Sequence, residues 1–96
     1  MLKAATLRNA LAYDKSTGIF TWKDAAPGRK RGQRAGSVRN PRGKPFRQIT
    51  LNGYTHSTAY LAWLHVTGKH PRLPLQHIDD NRLNDSFDNI APKINL

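Results

Sequence analysis

Cysteine is absent from the 96 residues, which excludes disulfide staples and thiolate zinc ligation and leaves nothing that requires an oxidising compartment. No continuous apolar run approaches a membrane span, and the first dozen residues alternate apolar with polar and basic side chains. Neither a signal peptide nor a membrane anchor is therefore expected, and a cytoplasmic location is the simplest reading. The length allows one small domain with a thin core and room for one site. The most pointed absence is of negative charge: no acidic residue occurs between Asp24 and Asp79.

What fills that gap is positive. Residues 25–78 hold Arg29, Lys30, Arg31, Arg34, Arg39, Arg42, Lys44, Arg47, Lys69 and Arg72, and elsewhere six basic residues cancel six acids, so the whole net charge of +10 lies in the middle of the chain. Such a block is an electrostatic footprint for phosphate. A solvated surface, an anionic membrane or an acidic protein partner would also suit it. Nucleic acid ranks ahead because arginine predominates, and its planar fork fits phosphate oxygens and guanine edges better than a lysine point charge does.

The periodicity of the chain predicts an α+β fold. A short amphipathic helix is expected over residues 2–13, a turn over 14–18, a strand over 19–23, and a continuation or partner strand over 35–39. Residues 27–34 form a basic, glycine-containing loop. The strongest local signal is Asn52-Gly53 between residues 46–51 and 54–57, which specifies a hairpin with a type I′ turn. Thr58 is expected to cap a helix running from Ala59 to about Thr67, stopped by Gly68 with Pro71 beyond. Tyr60, Leu61, Trp63, Leu64 and Thr67 recur at helical spacing and are assigned to the core. Most of Phe20, Trp22, Phe46 and Tyr54 are expected there too. Strand alternation leaves two registers for Arg47, outward or inward.

The C-terminal stretch LQHIDDNRLNDSFDNI, residues 75–90, places His77 at the head of a segment holding four Asp and three Asn. An imidazole can take a proton near neutral pH, and Asp and Asn oxygens suit a hard cation, so the set suits phosphodiester chemistry. On composition alone, the same residues also read as a satisfied core histidine among turn and cap residues. Asp79-x-Asn81-x-Leu83 breaks the calcium-loop ligand pattern, and His56, His65 and His70 lack zinc-ligand spacing.

This stretch resembles the motif of phage-type HNH endonucleases, the ββα-metal family. The resemblance continues through YDKSTGIFTWK, residues 13–23, and through AYLAW at 59–63 followed by Thr67-Gly68. It implies one domain, residues 1–96, with a basic sheet region over 25–58, a helix over 59–68 and the HNH-like motif over 75–96. By that resemblance His77 is the general base, Asn89 the residue that holds the loop and orients the histidine, and Gln76 with Asp79 the candidate ligands of Mg2+ or Mn2+. The chain departs from the pattern at several positions. Gln76 stands where a metal-binding Asp or Asn is usual, Asp80 replaces the turn glycine, Asp85-Ser86 replaces Asn-Arg, and Ala59 stands at the position of the helix histidine. Asn95 is the one candidate for a second ligand and comes early. The resemblance with these departures implies a phage-type nucleic-acid-binding protein of the bacterial host cytoplasm that has lost cleavage and acts by binding or blocking. An anti-CRISPR or other anti-defence inhibitor, directed at DNA or RNA within a host ribonucleoprotein complex, is one form of it, and such binding needs no cofactor. The alternatives are an active metal-dependent nicking endonuclease and a module that binds an acidic protein.

Overall fold

A computed structural model describes residues 1–94. The order of elements is α1 (Ala4–Ala10), β1 (Leu11–Asp14), β2 (Ile19–Trp22), β3 (Ser37–Arg39), β4 (Phe46–Leu51), β5 (Tyr54–Ser57), α2 (Thr58–Thr67), β6 (Leu75–His77) and β7 (Ile90–Pro92). Single 3₁₀ turns occur at Pro41–Gly43 and Phe87–Asn89. The strands form three small antiparallel sheets, ordered β1-β2, β3-β4-β5 and β6-β7. The fold is α+β.

Local chemistry set several boundaries. Asn52 and Gly53 both take positive φ, 52° and 82°, as a type I′ turn demands, and β4 and β5 pair from Leu51↔Tyr54 to Gln48↔Ser57. Gly68 ends α2 in the left-handed region at φ 74°, donating its N–H to the Leu64 carbonyl. The helix begins one residue earlier than expected. Ser57, not Thr58, is its cap: Ser57 is extended and its hydroxyl accepts from the Tyr60 N–H at 3.3 Å. Thr58 is buried in the first turn and uses its hydroxyl elsewhere.

Two expectations are corrected by long-range pairing. The N-terminal helix stops at Ala10, because Leu11 to Asp14 pair with Trp22 to Ile19 and take extended geometry. Residues 35–39 divide between two partners: Ala35 donates to the Phe20 carbonyl at 2.8 Å, whereas Ser37–Arg39 pair with β4. Periodicity reports a helix or a strand but not which neighbour closes the ladder.

The core gathers Leu7, Leu11, Phe20, Trp22, Ile49, Leu51, Leu61, Leu64 and Ile90, with Trp63 and Tyr60 packed half-buried against it. Every layer contributes, so α2 is held between the β4–β5 hairpin and the segment that follows it. Phe46 is half-buried, and Tyr54 lies outside the core at 73% exposed. The register of β4 puts Arg47 on the face shared with buried Ile49 and Leu51, whereas Phe46, Gln48 and the paired Arg39 face the other way. Arg47 therefore turns inward, half-buried, and its Nη1 donates to the Gly36 carbonyl at 3.1 Å. Burial pulls its guanidinium pKa down, Arg34 adds like-charge repulsion, and Asp85 partly opposes both.

Candidate functional site

The Asp- and Asn-rich composition of residues 78–89 is explained by the loop that joins β6 to β7. Asp79 Oδ1 accepts from the Asn81 N–H at 2.8 Å, Asn81 Oδ1 from the Leu83 N–H at 3.0 Å, and Asn84 Oδ1 from the Ser86 N–H at 3.3 Å. Each is a side chain closing a turn on its own backbone two residues on. Asn89, buried, ties these turns together. Its carbonyl accepts from the Asp79 N–H at 3.0 Å, and its amide donates to Asp79 Oδ1 at 2.8 Å and to the Asn84 carbonyl at 2.9 Å. Asp80 takes φ 62°, so the turn keeps the left-handed geometry that a glycine would supply. Asn89 holds the loop and, among the described residues, makes no hydrogen bond to the His77 ring.

Asp85 holds that ring instead. It is 2% exposed, its Oδ1 lies 2.8 Å from His77 Nε2, and its Oδ2 accepts from the Thr58 hydroxyl, which also lies 3.1 Å from the Arg47 carbonyl. A carboxylate on Nε2 assigns the hydrogen to that nitrogen and leaves Nδ1 as the basic lone pair. Among the described residues Nδ1 has no hydrogen-bond partner.

The β1–β2 hairpin fixes Asp85 from behind. The Tyr13 hydroxyl donates to the Asp85 carbonyl at 2.5 Å, and the Phe87 N–H donates to the Lys15 carbonyl at 2.9 Å. Burial first, then the negative charges of Asp85, Asp14 and Asp88, push the Tyr13 phenol well above its ordinary value, so it stays a donor. Gly18, at φ 77°, lies so close that a Cβ there would sit 2.2 Å from the Asp85 carbonyl carbon. The YDKSTG segment is thus the clamp on the carboxylate that orients His77.

His77 lines a cleft of about 830 Å3, within the size range of ligand pockets. Lys44, Arg82 and Lys93 also line it, with Gln76 and one carboxylate, Asp80. A smaller depression of about 600 Å3, between the N-terminus and the β4–β5 turn, contains none of the expected site residues.

The expected metal ligands do not assemble. Gln76 is exposed and alternates away from half-buried Leu75 and His77 on β6. Asp79 is engaged by three donors, and those bonds, Asn84 first and then Asn81 and Asn89, hold its carboxyl below the usual value. Asp85 is engaged by Thr58 and His77. Among the described residues no three His, Asp or Glu side chains are grouped to hold an ion, and Asn95 lies outside those residues. With Asp79 and Asp85 so engaged, Asp80 is the one carboxylate lining the cleft that is left for a divalent cation.

Of the ten central cations, Lys30, Arg31, Arg34, Arg39, Arg42, Lys44, Lys69 and Arg72 are exposed. Arg29 is not freely presented, because its guanidinium stacks 3.6 Å from the centre of the Trp22 ring. Arg47 is turned inward. Among the described residues no lysine or arginine lies within 4.0 Å of a carboxylate, and the one carboxylate pair is His77–Asp85.

No family model, curated protein or solved structure matches this chain. The roles of its residues rest on their own geometry.

Reading the sequence missed Asp85 as the partner of His77 and Thr58 and Tyr13 as its supports. Nothing local in the sequence linked residues 13–18 to residue 85.

Proposed function

We propose that the protein binds nucleic acid through its exposed cations and the adjoining His77 cleft, on an HNH-like scaffold whose metal-dependent cleavage is lost, and that it acts by occupancy. One observation carries this reading: among the described residues the exposed lysines and arginines have no carboxylate partners. A charge block neutralised by its own acids would be a solvated face, whereas an unpaired one can displace the cations condensed on a phosphate backbone and gain counterion-release free energy. Arg39 on β3, Arg42 in the following 3₁₀ turn and Lys44 at the cleft follow one another along the chain, a spacing suited to tracking successive phosphates. Blocking a host nucleoprotein complex, as anti-CRISPR inhibitors do, is the form of occupancy that suits so small a basic protein.

Anisotropy titrations of labelled duplex DNA, single-stranded DNA and RNA at several salt concentrations test the reading. Converting Arg39, Arg42 and Lys44 together to Glu is expected to weaken binding, and each lost phosphate contact should flatten the log–log salt dependence by roughly 0.7 to 0.9. An unchanged slope would move the interface elsewhere, and no binding to any nucleic acid would end the proposal. Metal-dependent nicking keeps one favourable observation, the oriented His77. Supercoiled plasmid nicked with Mg2+ or Mn2+ by the native chain but not by His77→Ala would establish it over occupancy alone.

A further inference from the structure

We infer that the His77 cleft cleaves RNA without a metal ion, transferring the scissile phosphodiester to the neighbouring 2′-hydroxyl. This rests on the nucleic-acid-binding part of the reading above, adds metal-free catalysis to occupancy, and names the substrate class of the same surface. Three observations converge on it. His77 is held by buried Asp85, itself anchored by Thr58, with Nδ1 left as the basic nitrogen of a ring that lines the cleft. A histidine with a carboxylate behind it and a free nitrogen in front is set to accept a proton. Next, Asp79 and Asp85 are engaged by the protein's own donors, and Asp80 is the one carboxylate lining the cleft, short of a ligand group that would hold an ion to generate and aim a hydroxide. Finally, Lys44, Arg82 and Lys93 share the cleft with His77 against a single carboxylate, Asp80, and none of the three is ion-paired among the described residues.

DNA offers such a site no nucleophile. Its cleavage needs a bound water aligned with the leaving oxygen, the task of an ion for which the cleft offers one carboxylate. RNA carries its nucleophile next to the phosphorus, and an intramolecular attack of that kind has an effective molarity reaching about 10⁵–10⁸ M in well-oriented cases. His77 Nδ1 takes the 2′-hydroxyl proton as the 2′-oxygen forms its bond to phosphorus. The bond from phosphorus to the 5′-oxygen breaks, and that oxygen takes a proton from solvent water. The products are a 2′,3′-cyclic phosphate and a 5′-hydroxyl, and the proton on His77 returns to the hydroxide left in solvent. Lys44, Arg82 and Lys93 supply positive charge where negative charge accumulates on the phosphoryl oxygens.

The test uses the full chain, EDTA, and a labelled RNA oligonucleotide of mixed sequence, with binding followed by anisotropy and products identified by their termini. Cleavage to a 2′,3′-cyclic phosphate is expected in EDTA, with the rate falling about 100-fold or more in His77→Ala. A single 2′-deoxy substitution at the mapped cleavage position should block that event with the native protein, a control that does not depend on any variant folding. RNA that binds but is not cut in EDTA overturns this inference and leaves the binding proposal standing. Cleavage that requires added Mg2+ or Mn2+ overturns it, as does cyclic phosphate formed equally by His77→Ala. Failure to bind RNA overturns it, and failure to bind any nucleic acid overturns the binding proposal as well.

Discussion

At the scale of single residues, Asp85 matters most, because a carboxylate 2% exposed must have its lone pairs met inside the protein. Thr58 and His77 meet them from the front, and Tyr13 fixes the backbone carbonyl from behind. Replacing Thr58 by Val keeps the shape and removes the donor, so Asp85 Oδ2 is left short of a partner at a cost of about 1–3 kcal/mol. Urea unfolding should show that loss, and Thr58→Ser, which restores the hydroxyl, should recover most of it. A Thr58→Val variant as stable as the native chain would mean that this hydrogen bond is not what holds the carboxylate. None of this was legible locally. In sequence Asp85 is one more member of an Asp- and Asn-rich loop, and Thr58 a residue expected to cap a helix. The Asx turns of Asp79, Asn81 and Asn84 were legible in kind, because they are made within two residues of their own side chains.

At the scale of elements, the hairpin and the second helix followed their sequence signals closely. Asn52-Gly53 and Gly68 act through backbone geometry at their own positions, so no tertiary contact needs to cooperate. Ser57 belongs to the same class. Its hydroxyl accepts from the Tyr60 N–H, and Ser57→Ala is expected to cost about 0.5–2 kcal/mol, read from the urea midpoint. A variant as stable as the native chain would place the helix start elsewhere. The first helix behaved differently, because the apolar spacing that predicts helix through Tyr13 is also satisfied by a strand from Leu11 onward. The pairing of Leu11 with Trp22 decides between them. Alternation along β4 likewise allowed two faces for Arg47, and the burial of Ile49 and Leu51 selected one.

At the scale of the whole molecule, packing and charge set the response to pH. His65 sits between α2 and β1 with Nε2 3.0 Å from the Leu11 carbonyl. Burial holds its pKa below the ordinary 6.5, the Leu11 carbonyl partly opposes this, and the nearby Arg8 and Lys23 lower it further. His56 is shifted down by burial. A base depressed on folding binds fewer protons in the native than in the unfolded state, so stability falls as pH drops from 6.5 toward the folded value. The urea midpoint should decline between about pH 7 and pH 5, and His65→Gln should flatten that decline. A native profile level through this range would remove these histidines from the linkage. The sequence alone determined much of the rest: an α+β pattern, a cation block over residues 25–78, and a histidine among turn-forming Asp and Asn residues. These follow from charge, periodicity and backbone preference, which each residue carries wherever it sits. Tertiary structure decided which carboxylate holds His77 and which arginines stay exposed. Such choices depend on pairs far apart in the chain, Tyr13 with Asp85 and Thr58 with Asp85, and proximity of that kind exists only once the core has brought the elements together.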